Sequence, residues 1–547
     1  MVDRKLTGLL VLCCLLANPE GLRTQEAPRG PRELAPGAPA GAQATEPVRI
    51  AGGLVQGTVA PSGVREFRGI PFAAPPVGQR RWRPPEPPAG WKGVRSATRF
   101  GPRCMQLPIF SDMVFRSDGV SEDCLYLNVW APPSRSAAQR RPVLVYFYGG
   151  GFVAGDGSEL RYGGESLARR GIVVVTVNYR LGVFGFLAHP ELTAESPHHA
   201  SGDYGLLDQA AALGWVRRDI AAFGGDPRRI TIGGESAGSI SVCAQMASPL
   251  SRRLIAGAIG ESGGMFRPTA APVPLDEAEG EGVKFASSVG AGTLAELRSL
   301  PADSLLRATG RPGSGRFPAT VDGYFLPGTP ADIFAAGEQA HVPLLVGWYS
   351  QESDWRALLR SQEPTPENYA AALRTLFGER TDEALRLFPG ETPDQVVESG
   401  TLLAGARFIA YSTWKWAGLQ GSTGRSLVYR YLYAHPRPPT KAPTASPPPR
   451  GAVHSAEIEY ALGNLATNDV YAWTPEDDSV SDIMEGYFAH FVRTGNPNGA
   501  GLPRWPATGS PETAQVMVVD VHPRAEREQH RDAFLYLDSF YTGNPAP

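Results

Sequence analysis

Cysteine is scarce in this chain. Five occur in 547 residues, and two of them, Cys13 and Cys14, sit near the start. The other three, Cys104, Cys124 and Cys243, are too few for a disulfide-built scaffold. No Cys/His cluster has zinc spacing, so no metal and no organic cofactor is expected. Charge of one sign is also lacking. Lys and Arg number 52 against 55 Asp and Glu, a net of -3. Without a basic excess, nucleic acid is not an expected partner. Past the N-terminus no apolar run approaches the ~20 residues of a membrane helix, so no stable membrane insertion is expected. Internal repeats, N-x-S/T sequons and an ER-retention tail are absent too. The last two absences fit a bacterial source.

What is present begins with a leader. Arg4 and Lys5 precede an apolar run from Leu6 to Ala17, which Asn18-Pro19 breaks. That pattern predicts a signal peptide over 1–25, and a secreted or periplasmic protein. Residues 26–46, rich in Pro, Ala and Gly, read as a spacer. One domain is expected over 47–540, since 42% hydrophobic residues can bury a large core. The Pro-rich stretch 436–449 reads as a surface loop within it. In an exported chain Cys104 and Cys124 can pair, closing a 20-residue loop worth ~3 kcal/mol. Cys243 reads as a small buried apolar residue.

Short apolar runs recur at Val143–Tyr148, Ile172–Tyr179, Arg229–Gly233, Leu254–Gly260, Val342–Gly347 and Leu427–Tyr433. Their length suits strands buried on both faces. Between them, Leu213, Val216, Ile220 and Phe223 recur at helical spacing, and Gly224-Gly225-Asp226-Pro227 ends that helix. Alternating strands and helices predict a mainly parallel sheet covered on both faces. Val48 to Phe72 reads as a few antiparallel strands at one edge.

The pattern G-x-S-x-G occurs around Ser236 and around Ser262. A nucleophile elbow needs a strand, a tight turn and then a helix. Ser236 meets all three demands. Ser262 is followed by Gly263-Gly264 and Pro268, which start a loop, so it reads as a buried hydroxyl beside the site. Gly149-Gly150-Gly151 directly follows a strand, where backbone N–H groups can receive an oxyanion together with Ala237. A serine nucleophile needs a histidine base and a carboxylate that orients it. In the order Ser, acid, His, the acid is Glu352 or Asp354. Among nine histidines, elimination leaves His454 and His435.

Longer strings now carry a resemblance. Phe67-Arg68-Gly69-Ile70-Pro71-Phe72, Ser121-Glu122-Asp123-Cys124-Leu125-Tyr126-Leu127-Asn128, Gly205-Leu206-Leu207-Asp208-Gln209, Phe223-Gly224-Gly225-Asp226-Pro227, Gly234-Glu235-Ser236-Ala237-Gly238 and Thr494-Gly495-Asn496-Pro497-Asn498 resemble the type-B carboxylesterase family. The resemblance covers about 47–540. It implies an α/β-hydrolase fold with a mainly parallel central sheet, helices on both faces and a small N-terminal antiparallel sheet. It implies a Cys104–Cys124 disulfide. It also implies Ser236, Glu352 and His454 as the triad, with Gly150, Gly151 and Ala237 as oxyanion donors. Tyr349 and Ser353 depart from the family's asparagine and glycine. The 104–124 loop has Phe110 and Phe115 but no tryptophan, which argues against a choline ester. A small-molecule ester is the expected partner, in a monomer or homodimer. Export and family together point toward the fumonisin esterases, which release tricarballylate from a long-chain mycotoxin. Neuroligin-like binding proteins lack part of the triad, whereas this chain carries all three residues; a long-chain lipase is the other reading. A base at its ordinary pKa of ~6.5 predicts activity falling below about pH 6.

Overall fold

The structure is a computed structural model that describes residues 32–33, 43–133, 140–442, 448–509 and 514–543. The expected signal peptide lies outside the described residues, as do most of the spacer and residues 443–447 of the second Pro-rich stretch.

The apolar runs are strands of one sheet. Seven parallel strands form its centre, in the order Val173–Val177, Arg141–Phe147, Gly225–Glu235, Gly257–Glu261, Leu344–Tyr349, Val428–Tyr433 and Gln515–Val519. Antiparallel strands extend both edges. Tyr126–Ala131, Arg65–Pro71, Thr58–Val59 and Gln43–Ala44 continue one side, and Arg524–Arg527 the other. A separate sheet joins Val48–Ile50 antiparallel to Gly53–Gln56, which pairs parallel with Val94–Ser96. The central strands are buried along nearly their whole length, as expected when helices cover both faces.

Some boundaries moved, the strand expected from Leu254 among them, which runs over Gly257–Glu261. The predicted helix runs over Tyr204–Asp219 and tightens to a 3₁₀ turn at Ile220–Phe223. The strand expected from Arg229 starts at Gly225, because Arg141 already pairs with Gly225 across an irregularity in the ladder. One large apolar cluster fills both faces of the sheet. A second lies under helices Pro366–Phe377, Pro393–Gly405, Tyr411–Thr423 and Arg531–Thr542, built from Trp348, Tyr369, Phe377, Leu403 and Phe534. These helices roof the carboxyl end of the Leu344–Tyr349 strand.

Candidate active site

Ser236 stands where the strand Gly225–Glu235 turns into the helix Ala237–Ala247, with φ 56° and ψ -120°. A non-glycine residue there is strained by roughly 1–3 kcal/mol, and the neighbours must hold it. Ser236 donates its N–H to the Glu261 carbonyl at 2.9 Å. The flanking glycines are sterically required. A Cβ on Gly234 would lie 2.6 Å from the Phe147 carbonyl oxygen, and one on Gly238 would lie 2.0 Å from the same atom. Nine non-glycine residues among those described have positive φ, and Phe152, Ser236, Ser262 and Ser455 belong to the four segments meeting here.

The glycine loop lies against this bend. A Cβ on Gly149 would come 3.2 Å from the Ser236 Cβ. Gly150 has φ 109° and Gly151 φ 62°. The Gly150 carbonyl accepts from the N–H groups of Val153 and Ala154, both at 3.1 Å, which closes the turn. Among the described residues, the N–H groups of Gly150, Gly151 and Ala237 meet no acceptor. Ala237 is buried, whereas Gly150 and Gly151 are half-buried.

Glu352 follows the strand Leu344–Tyr349 and is buried. Its Oε1 accepts from the Tyr349 N–H at 2.9 Å and from the Ser262 hydroxyl. Its Oε2 pairs with His454 Nδ1 at 2.7 Å. Asp354, the other candidate acid, faces outward and pairs with Arg356. The acid and histidine segments are stitched together by backbone. Gln351 donates its N–H to the Ala452 carbonyl at 2.9 Å, and the Ser350 hydroxyl accepts from Ala452 N–H at 2.9 Å. This is how residues 102 positions apart share one hydrogen bond. His435 instead pairs with Asp477 at 2.8 Å at the start of the helix Pro475–Thr494. His522 and His530 are exposed, and His490 is half-buried.

Ser262 is the serine of the second G-x-S-x-G, buried at the end of the strand Gly257–Glu261, and its hydroxyl fixes Glu352. Tyr349, placed where the resemblance expects asparagine, supplies its backbone N–H to Glu352, so the side-chain change leaves that bond intact. Its ring and that of Phe408 meet the imidazole edge-on, with centroids at 5.6 and 5.1 Å. Phe408 belongs to the π-helical turn Ala406–Ala410, a local irregularity often found at functional sites. Motif reading missed Phe408, because nothing in its neighbourhood is punctuated. It also missed Glu235 as a partner of His454, although adjacency to Ser236 was an available signal.

Glu235 Oε1 lies 3.3 Å from His454 Nε2. This sets the electrostatics. Burial disfavours the imidazolium, but the Glu235 charge, then the Glu352 hydrogen bond and charge, outweigh it and push His454 up to about 9. Burial pushes Glu235 up to about 7, with His454 and Arg161 pulling the other way. Burial and the Glu235 charge push Glu261 up to about 8. Burial, with Glu261 adding, drives Glu457 well above the usual range. The imidazole therefore sits over a set of acids that cannot all ionise. His454 therefore holds its proton more tightly than a free imidazole.

Cys104 and Cys124 form a disulfide, and Cys243 is a buried free thiol. Among the described residues no helix is long and apolar enough to cross a membrane.

Residues 44–535 match the Carboxylesterase family. The fumonisin B1 esterase of Sphingopyxis macrogoltabida is 37% identical over 464 residues, 81% of each chain. The cocaine esterase of Homo sapiens is 34% identical over 516 residues, 89% of each chain. The para-nitrobenzyl esterase of Bacillus subtilis (strain 168) is 34% identical over 499 residues, 87% of this chain and 96% of that one. An α/β-hydrolase sheet, an elbow serine and a match across nine-tenths of the sequence agree: the chain belongs to the type-B carboxylesterase family and is a carboxylic ester hydrolase.

Proposed function

We propose that Ser236 is the nucleophile, His454 the base and Glu352 the orienting acid of a two-step ester hydrolysis. The reading is supported above all by the 2.7 Å carboxylate–imidazole pair of Glu352 and His454, whose imidazole also lies 3.3 Å from Glu235, the residue before Ser236. Ser236 Oγ attacks the ester carbonyl while His454 Nε2 takes its proton. The carbonyl oxygen becomes an oxyanion, received by the N–H groups of Gly150, Gly151 and Ala237. As the intermediate collapses, the C–O bond to the alcohol breaks and His454 returns the proton to the leaving oxygen. Water then attacks the acyl-enzyme with the same histidine as base, freeing the acid and Ser236. Glu352 holds Nδ1–H throughout and stabilises the imidazolium. The test is hydrolysis of a panel of p-nitrophenyl and alkyl esters by wild type and Ser236→Ala. A fall of at least about a thousandfold is expected; an unchanged rate overturns the assignment.

The finer reading is an exported esterase that releases tricarballylate from a fumonisin-like ester. Its support is the 37% identity to a fumonisin B1 esterase, with the basic-then-apolar N-terminus and the disulfide in keeping with export. Incubation with fumonisin B1 tests the substrate, and free tricarballylate is the expected product. If the ester survives while p-nitrophenyl acetate is cleaved, the specificity is wrong and the class stands.

A further inference from the structure

The near-balance of charge in the whole chain conceals a polarity. In a parallel sheet the carboxyl ends of the crossover helices gather at the amino ends of the strands. That end of this molecule is lined with arginine. Arg141 opens the strand Arg141–Phe147, and Arg140 beside it donates to the Ala221 carbonyl at 2.5 Å, in the turn after the helix Tyr204–Asp219. Arg217, in the last turn of that helix, donates to the Pro227 carbonyl. Arg229 donates to the Arg493 carbonyl at 2.6 Å, and Arg493 in turn to the Arg170 carbonyl, at the ends of the helices Pro475–Thr494 and Glu165–Arg169. A Cβ on Gly171 would lie 3.5 Å from Arg141 Nη1, which closes the set.

Cations at helix carboxyl ends have a structural use, since they meet the last carbonyls and the negative end of the dipole. That use does not call for so many so close together. Burial, then the Arg170 and Arg141 charges, hold Arg493 below the ordinary arginine value. Arg493 and Arg170 likewise add to burial in lowering His490. The acids that answer them are few. Asp482 and Glu485 pair with Arg170 at 3.1 and 2.7 Å, and Asp226 lies 3.8 Å from Arg228. Arg140, Arg217 and Arg229 are exposed, and the side-chain bonds they make among the described residues go to carbonyls, not carboxylates. The opposite end is acidic. The helix Pro475–Thr494 starts with Glu476, Asp477 and Asp478 and finishes with Arg493. Ser236 stands at the far end of the strand that carries Arg229, roughly 23 Å away, together with the acids Glu235, Glu261 and Glu352.

We propose that this arginine face docks the protein on an anionic lipid surface, through phosphate headgroups and without insertion, and so turns the Ser236 end toward solution. Guanidinium suits that partner, because its planar fork meets phosphate with two parallel hydrogen bonds. The choice of lipid follows the expectation of export: an exported chain meets lipid phosphate rather than nucleic acid. The acidic end adds to the orientation, since the same surface repels it. Nothing in the proposal depends on the esterase reading.

Vesicle cosedimentation tests it. The protein should pellet with phosphatidylcholine vesicles that contain about 30% phosphatidylglycerol, and not with phosphatidylcholine alone. Binding should be strong at about 50 mM NaCl and lost by about 500 mM. The triple variant Arg140→Gln, Arg217→Gln, Arg229→Gln should bind at least about tenfold more weakly. The control is Arg307→Gln, Arg374→Gln, Arg386→Gln, which removes the same charge from exposed arginines on other helices and should bind as wild type does. Should the basic-face triple fail to fold, as its melting temperature would reveal, the three single variants are read in its place, each about twofold to threefold weaker. Equal weakening by both triples overturns the proposal, and so does a wild type that ignores anionic vesicles at low salt. Retention on heparin without vesicle binding would mark a soluble polyanion as the partner and overturn it too. Vesicle-bound protein should keep its kcat/KM on a soluble ester; a loss on docking would put the Ser236 end against the surface and overturn the orientation.

Discussion

Replacing Glu235 by Gln removes the largest single influence that raises the proton affinity of His454. The two charged atoms are 3.3 Å apart. Unit charges at that separation, in a medium of effective dielectric ~20, attract by about 5 kcal/mol, an upper bound near 3.7 pH units. Two facts reduce it. The His454 side chain is 23% exposed, so water screens part of the field. Glu235 is itself raised to about 7, so its charge is incomplete near neutrality. The pair therefore titrates in two linked steps rather than as separate residues. We expect the acid limb of kcat/KM in Glu235→Gln to fall by about one to two pH units. The sign follows from mechanism: only neutral imidazole takes the serine proton, so a lower pKa extends activity toward acid. The assay is kcat/KM for p-nitrophenyl acetate across pH with both proteins. Limbs that coincide within about 0.3 unit would refute the electrostatic reasoning.

Gly150→Ala forces a Cβ to within 2.2 Å of the Ala154 carbonyl oxygen at φ 109°, so kcat should drop by about a hundredfold or more while KM moves little. Steady-state kinetics on a short ester checks this. Removing the Cys104–Cys124 bridge by a double Ser substitution should cost about 3 kcal/mol, read from the denaturant midpoint with and without the bridge. Asp203 is buried with one oxygen unpartnered among the described residues, and burial and the Asp322 charge raise its pKa well above the ordinary value. A raised carboxyl pKa means stability is lost as pH climbs past the unfolded value. Asp203→Asn should therefore raise the melting temperature, by an amount that grows from about pH 5 to pH 8 and amounts to roughly 1 kcal/mol or more.

Much of this arrangement was legible from residue pattern. Continuous apolar runs mark the central strands because a parallel sheet hides both faces. The turn chemistry around Ser236 separates it from Ser262, since a helix needs the residues that follow Ala237 and a loop needs Gly263-Gly264 and Pro268. The distal layer was not legible. Helices from Pro366 to Thr423 carry no motif, and their apolar residues serve a second cluster whose partner, the terminal helix Arg531–Thr542, is remote in sequence. Phe408 reaches the imidazole only through that packing. Spacing alone left Glu352 level with Asp354. The resemblance prefers Glu352; in the structure the Tyr349 N–H and the Ser262 hydroxyl converge on Glu352, while Asp354 pairs with Arg356. The raised pKa of His454 was likewise hidden, because it depends on the 3.3 Å approach of Glu235, which spacing along the chain does not reveal.

The sharpest single measurement is covalent labelling with a fluorophosphonate followed by peptide mass spectrometry. The adduct is expected on Ser236 alone, forming with a rate that falls with protonation of His454 and is abolished in His454→Ala. An adduct on Ser262, or labelling that persists at full rate without the imidazole, would contradict the account.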